Sequence, residues 1–201
     1  MSPPSTSDPK ASATVAQWAR SVAREAPQLE PAESRRLAKE IQERLTTEPS
    51  DWNRRELVLA LAALQTPETF PGLTNALADP SSTVREAACT GLGSIKSQQA
   101  IRLLGNTLAT DNNLDVRLAA ARELGHHRRP EAVLALAAVL DDPDAALRHR
   151  AMVSLGSSAP KDFGGDATAW KQYAANLMMD MDSPASMVAE QPDGSDPPTI
   201  R

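Results

Sequence analysis

The sequence is poor in cysteine and in aromatic residues, and it lacks long hydrophobic runs. Cys89 is the one cysteine among 201 residues, and 3% of the residues are aromatic. A single cysteine cannot form an intramolecular disulfide, which favours a reducing compartment, and we expect a cytoplasmic protein. The longest apolar stretches, 57–64 and 132–140, are too short to cross a bilayer, and no basic-then-apolar leader opens the chain. No stretch alternates apolar and polar residues as a strand does, so we expect neither a membrane protein nor a sheet.

A basic excess is also missing. The net charge of −5 is unevenly divided, because residues 1–50 are neutral, residues 51–158 carry −1 and residues 159–201 carry −4. Proteins that bind nucleic acid normally have a basic folded part, so this distribution argues against nucleic acid as a partner. Residues 181–201 combine acidic residues with four prolines and few apolar side chains, which predicts disorder, as does the composition of residues 1–10.

What the sequence does contain is an internal repeat. Three similar segments, DPSSTVREAACTGLG, DNNLDVRLAAARELG and DPDAALRHRAMVSLG, begin at Asp79, Asp111 and Asp142. The same spacing leads back from the first segment to Arg54, in a degenerate earlier copy. Repetition at this period is typical of a solenoid. Three residue types recur in each segment at steps of 32 and then 31 residues: Arg85, Arg117 and Arg148; Leu92, Leu124 and Leu155; Gly93, Gly125 and Gly156.

Each copy is predicted to form two helices, A and B. The Asp-Pro pairs at 79–80 and 142–143 are expected to supply the N-cap and the first residue of two A helices. The recurring glycines are expected to end the A helices at left-handed C-caps. In the second copy, helix B is predicted over 98–109. The apolar face of an A helix is marked by residues four positions apart, as in Val84, Ala88 and Leu92.

The pattern D-P-x-x-x-[VL]-R-x-x-A, followed by a Leu-Gly ending, resembles the short HEAT repeat, in the subclass named after the phycobilisome-lyase HEAT-like repeats. The resemblance covers residues 51–158. It implies an all-α fold, an α-solenoid in which antiparallel helix pairs form a right-handed superhelix and the B helices line a concave face. It also implies scaffolding or partner binding far more often than chemistry.

The segment before the repeats is predicted to be an N-terminal helical cap over 11–50. It contains two amphipathic helices, 13–24 and 31–46, and the second has its apolar residues at four-residue spacing: Leu37, Ile41 and Leu45. Such a cap would cover the exposed side of the degenerate first copy. A solenoid needs covers of this kind, with one polar face, at its ends.

The segment after the repeats, 159–180, is predicted to be a C-terminal capping helix. Asp166 is placed to serve as its N-cap. One face of this helix is expected to close the core behind Leu155, because it carries Trp170, Tyr173 and Leu177.

The periodic arginines and aspartates admit two interpretations. They could form a row of anion-binding sites, or each arginine could pair with an aspartate or with backbone carbonyls between adjacent repeats. A feature present in every copy belongs more often to the stack than to one site, so we favour the structural interpretation.

The densest basic cluster predicts a possible anion patch for a phosphate, an acidic partner or the acidic tail of the chain itself. The alternative is that His127 is a partly buried turn residue and that the others are solvated. The residues of the predicted patch are His126, His127, Arg128 and Arg129, with His149 and Arg150 from the next copy.

Catalysis is not indicated by the sequence. Deoxyhypusine hydroxylase, an iron oxygenase built from related HEAT repeats, uses paired His-Glu dipeptides, and this sequence has no such dipeptide. We therefore expect no metal, no cofactor and no enzymatic activity, and we expect Cys89 to be buried and inert. The alternative is an enzyme-associated HEAT protein, either a lyase-type accessory or a degenerate relative of the oxygenase.

One surface is predicted to bind a partner. Helix B of the third copy places Leu134 and Ala138 where the second copy has Arg102 and Asn106, so this helix is apolar on nearly every side. Either the Trp170 helix covers it, or it forms a groove in which a partner helix or peptide lies. The sequence thus predicts a non-catalytic scaffold for protein–protein interaction, with another protein or peptide as the partner.

Overall fold

The computed structural model describes the backbone of residues 9–181 and the side chains of residues 14–181. Over this part of the chain the regular structure is helical, and no strand is found. A short 3₁₀ helix, Ala26–Gln28, follows the first α-helix. The α-helices are α1 (Pro9–Glu25), α2 (Pro31–Leu45), α3 (Asp51–Ala63), α4 (Thr69–Ala76), α5 (Ser82–Ser94), α6 (Gln98–Thr110), α7 (Leu114–Leu124), α8 (Pro130–Ala137), α9 (Ala145–Ser158) and α10 (Ala167–Met181).

The helices form two rows. Each odd-numbered helix contacts the next odd-numbered helix, so that α1, α3, α5, α7 and α9 form an A row. The even-numbered helices form a B row, in which α2, α4, α6 and α8 each pack on the A helix that follows, and α10 packs beside α8. One continuous core of buried aliphatic side chains and alanines runs between the rows, from Val15 to Trp170. The predicted all-α solenoid with helical caps is confirmed.

Polar side chains at the helix starts determine where the A helices begin. The side chains of Ser50, Asn113 and Asp144 accept hydrogen bonds from backbone N–H groups in the first turns of α3, α7 and α9. The prediction that Asp79 and Asp142 are N-caps is therefore wrong by two residues. Each of these carboxylates lies in the preceding turn and accepts the N–H of the residue two positions later, at 2.8 and 2.9 Å.

The recurring glycines also differ from their predicted role. Gly93 and Gly156 lie inside α5 and α9, and Gly125 follows α7 with φ −59°, so none is left-handed. Gly93 and Gly125 are needed because neighbouring A helices approach closely at these points, whereas Gly156 faces Asp162 in the loop after α9. A Cβ added to Gly93 would lie 2.8 Å from Cβ of Glu123, and one added to Gly125 would lie 2.9 Å from Cβ of Ser154.

The first helix pair covers the start of the core. Leu37 and Ile41 of α2 are buried and Leu45 is half-buried, in agreement with the predicted apolar face. Helix α1 begins at Pro9, four residues earlier than predicted, so Pro9 and Lys10 are helical and not part of a disordered segment. The rest of that predicted disordered segment, 1–8, lies outside the described residues.

Helix α10 closes the other end. Trp170 is fully buried, and its Nε1 donates to the carbonyl of Gly164 at 3.0 Å. The Trp170 ring packs edge-on against Phe163, with centroids 4.9 Å apart. Tyr173 and Leu177 are half-buried against the core. The predicted disordered tail begins at Met181, which is the last residue of α10, and 182–201 lie outside the described residues.

Candidate functional site

The periodic arginines and aspartates form a row of ion pairs between successive repeats, here called the Arg–Asp ladder: Arg54–Asp79, Arg85–Asp111 and Arg117–Asp142. In the first two pairs, Nε and Nη2 of the arginine donate to the two carboxylate oxygens at 2.8 and 2.9 Å. In the third pair Nη2 makes the carboxylate contact, and Nε donates to the carbonyl of Leu108. These bonds confirm the structural interpretation of the periodic residues.

Backbone carbonyls hold the guanidinium groups in place. Nη1 of Arg85 donates to the carbonyls of Asp79 and Pro80, which belong to the turn before its own helix. Burial raises the pKa of Asp79 and Asp111, but the bonds from the arginines and from backbone N–H groups outweigh burial and hold both pKa values below the ordinary value. The carboxylates are therefore charged at neutral pH and serve to join repeats.

The predicted anion patch is not a single exposed surface. His127 is 2% exposed, and burial, followed by the charges of Lys96 and His126, lowers its pKa. His126, Arg128 and Arg129 are exposed, but His126 Nδ1 lies 3.2 Å from Glu123 and Arg129 Nε lies 3.6 Å from Glu131. The prediction is wrong for His127, which is a buried turn residue.

His149 and Arg150 lie apart from the other members of that patch. His149 occupies the position that Leu118 has in the preceding repeat, eight residues before His126, which corresponds to about 12 Å along the helix axis. His149 is exposed and Arg150 is half-buried in the first turns of α9, whereas His126 follows the end of α7. The two groups therefore differ in height along neighbouring A helices, α7 and α9.

The four residues of the predicted partner surface lie on the B row. Arg102 and Asn106 of α6 are exposed, as is Ala138 at the end of α8, and Leu134 is half-buried. Helix α10 packs beside α8, where Val133 and Leu136 are fully covered. Helix α10 therefore contacts α8 as the first sequence-based alternative expects, and Leu134 stays partly exposed.

Two grooves flank α4, which is the feature that the sequence reasoning missed. A groove of about 420 Å³ between α2 and α4 is lined by Gln42, Leu45 and Asn75, among others. A second groove of about 240 Å³ lies between α4 and α6, and Asn106 lines it together with Leu77 and Leu103. A signal was present in the sequence, because Pro71 and Gly72 lie within α4, a helix of eight residues beside thirteen in α6.

The chemically reactive side chains of the described chain are dispersed. Cys89 is fully buried, and burial raises the pKa of its thiol to about 12. Among the described residues, no three His, Cys, Asp or Glu side chains are grouped so that they could hold a metal ion. No helix in the described part of the chain combines the length and the apolar character needed to span a membrane.

Comparison with known proteins agrees with this architecture. No curated protein sequence matches the chain at a significant level. Among solved structures, human deoxyhypusine hydroxylase in complex with glycerol is similar, with 28% identity and a TM-score of 0.54. The match covers 60% of this chain and 43% of the hydroxylase chain, so this chain spans less than half of that protein. The HEAT repeats family matches residues 38–120 and 101–169, more than half of the sequence, and the chain therefore belongs to the HEAT-repeat family.

Proposed function

We propose that this chain is a non-catalytic protein–protein interaction scaffold that binds a partner along its B row. The observation that carries the proposal is the groove between α4 and α6, which is lined by both apolar and polar side chains. Its apolar lining includes the half-buried Leu77 and Leu103, and its polar lining includes Thr74, Asn106 and Thr110. Binding grooves for peptides typically combine these two features.

The surface continues from this groove onto α8. Asn106 in the groove and Ala138 on α8 occupy equivalent positions in successive repeats, and so do Arg102 and Leu134. Leu134 thus adds a partly exposed apolar side chain on α8, the helix that packs beside α6. An amphipathic helix or an extended segment could place its apolar side chains against Leu103 and Leu134. The near-neutral charge of the repeats supports a protein partner rather than a nucleic acid.

Two observations on polar and ionisable side chains support the non-catalytic part of the proposal. Three of the recurring arginines and the three recurring aspartates pair with each other in the Arg–Asp ladder. Cys89 is a thiol and not a thiolate near neutral pH, since its pKa is about 12. Purified protein given ferrous iron should bind less than one equivalent, as measured by metal analysis after desalting. Stoichiometric binding would favour the oxygenase-related alternative.

The test of partner binding uses one substitution on each row. Leu134→Glu places a charge on the B row, where the fold accepts it because the preceding repeat has Arg102 in the same position. Leu118→Glu is the matched control on the A row, since the preceding repeat has Glu86 there. Proteins captured from the source cell by the intact chain should be identified, purified and titrated against all three forms.

We expect Leu134→Glu to weaken binding by about 2 kcal/mol, about thirtyfold, because a charge would be buried against an apolar partner surface. Leu118→Glu should leave the affinity unchanged. Equal affinity for the intact chain and for Leu134→Glu, with both folded by circular dichroism, would show that the B row is not the binding surface.

A further inference from the structure

The series of periodic arginines has one member outside the Arg–Asp ladder. Arg148 of α9 continues the series of Arg54, Arg85 and Arg117, and its Nη1 donates to the carbonyls of Asp142 and Pro143 at 2.7 and 3.0 Å. Arg85 makes the same pair of bonds to the turn before its own helix. No carboxylate in the described part of the chain pairs with Arg148. Its guanidinium is therefore held as in Arg85, and within residues 14–181 its Nε and Nη2 do not pair with an aspartate.

The side chain beside Arg148 on α9 is more exposed than the equivalent side chains of α5 and α7, as Met152 shows. Met152 lies one turn after Arg148, and the equivalent residues Cys89 and Ala121 of α5 and α7 are completely buried by the next A helix. Met152 is half-buried. Farther along α9, the place of a next helix is taken by the loop of 159–166, since a Cβ on Gly156 would lie 3.0 Å from Oδ1 of Asp162.

The three pairs of the Arg–Asp ladder show which kind of group would bind Arg148. Each ladder aspartate also accepts the backbone N–H of the residue two positions later, which is Ser81, Asn113 or Asp144. Each of these three residues is the N-cap of the next A helix. The group that Arg148 matches is thus an aspartate in an Asp-x-Ser, Asp-x-Asn or Asp-x-Asp turn that opens a helix. Arginine binds a carboxylate in this forked geometry more strongly than it binds a neutral acceptor.

We propose that Arg148 and Met152 form a docking site for such a turn and helix from another protein. A second copy of this chain is not the expected occupant, because the turns at Asp79, Asp111 and Asp142 already bind arginines of their own chain. The site lies on the terminal A helix and is separate from the B-row groove. The proposal for Arg148 and Met152 can therefore be wrong while the proposed scaffold function is right, and the reverse is also true.

The test uses the chain's own ladder segment as the probe. A capped peptide of residues 110–121 carries the Asp111 turn and the start of α7, and the control peptide has Asp111→Asn. Nuclear magnetic resonance of the full chain, labelled with ¹⁵N, follows the Arg148 Nε–H signal and the Met152 amide. Both signals should shift saturably with the peptide, and the control peptide should bind at least about tenfold more weakly.

Variants of the full chain separate the site from general effects. Arg148→Gln and Met152→Glu should each weaken peptide binding by about tenfold or more, and Arg35→Gln, which removes an exposed arginine of α2, should leave it unchanged. Two variants are used because Arg148 also binds carbonyls of its own turn, whereas Met152→Glu acts by repelling the incoming carboxylate. The proposal is wrong if the two peptides bind equally, or if neither shifts the Arg148 signal.

An acidic residue of the chain itself, Asp180 in α10, is the internal alternative to an external partner, and one variant tests it. Asp180 follows Leu177 at the spacing with which Asp111 follows Leu108. If Asp180→Asn moves the Arg148 signal in the free protein while the peptide causes no shift, the chain itself occupies the site, and the proposal of an external partner is overturned.

Discussion

At the residue scale, the packing of neighbouring A helices depends on glycines near the helix ends, at Gly93 and Gly125. Gly125 shows it best, since a Cβ there would meet both Cβ and Cα of Ser154, at 2.9 and 3.1 Å. The Cα belongs to the backbone of α9, so relief requires the two helices to move apart rather than one side chain to rotate. Packing between adjacent repeats depends on that spacing.

We therefore predict that Gly125→Ala lowers the free energy of unfolding by about 1–3 kcal/mol, because the added methyl group forces α7 and α9 apart. Gly165→Ala is the control, since a Cβ there has open space around it. Urea unfolding followed by circular dichroism measures both. An unchanged midpoint for Gly125→Ala would show that the helices separate without cost.

The ion pairs belong to the same scale and predict a dependence on pH. The pKa of Asp111 is lowered in the folded protein, so its contribution to stability is present above the unfolded pKa of about 4 and is lost as the pH falls through the folded value. Asp111→Asn should lower the free energy of unfolding at pH 7 by about 1–3 kcal/mol, since it removes a largely buried charged bond.

The check is to measure this difference again at about pH 3, where it should shrink as the aspartate of the intact chain becomes protonated. Because both proteins share every other titrating group, the comparison isolates Asp111. A difference that stays constant between the two pH values would mean that the Arg85–Asp111 charge does not stabilise the fold.

At the scale of the element, α10 depends on a single large side chain. Trp170 is fully buried and packs against Phe163, whereas Met178, Met179 and Met181 in the last turn are exposed. The helix is thus anchored near its beginning. Its attachment to α8 follows from burial of one aromatic ring, since such a ring buries a large apolar area.

Trp170→Ala should therefore lower the free energy of unfolding by about 3–5 kcal/mol or detach α10 altogether. Trp52→Ala is a matched control, because Trp52 is 53% exposed and its ring contacts are to Arg20 and Arg55; its loss should cost less than about 1 kcal/mol. Amide hydrogen exchange of residues 167–181 distinguishes detachment from global loss of stability. Equal effects of the two substitutions would contradict this account.

Sequence reasoning succeeded at this scale where a feature recurs. The Arg–Asp pairs were predictable because residues repeated in sequence have repeated neighbours in a solenoid. The roles of Asp79 and Gly93 were not, because a carboxylate two residues before a helix resembles an N-cap in the sequence, and a glycine near a helix end resembles a C-cap. Which role applies depends on the neighbouring repeat, and local spacing does not contain that information.

At the scale of the whole molecule, the sequence indicated the fold but not its surface. Four residues of the B row were identified from their mismatch between copies, and Asn106 does line a groove. The groove itself follows from the short α4, whose consequence depends on α2 and α6 on either side. For the basic cluster, the sequence predicted a surface feature that the fold divides. His126 and His149 were grouped by composition, although they lie at different heights on adjacent helices.

The Arg–Asp ladder has a consequence for the length of such chains. In each of the three ladder pairs a guanidinium joins one repeat to the next, and the arginine and aspartate are 25 or 26 residues apart. Duplicating residues 111–141, one full period, would therefore create a new joint with the same chemistry and leave the others unchanged. A gene for this protein could grow or shrink by whole periods at its centre, while its two capped ends stayed as they are.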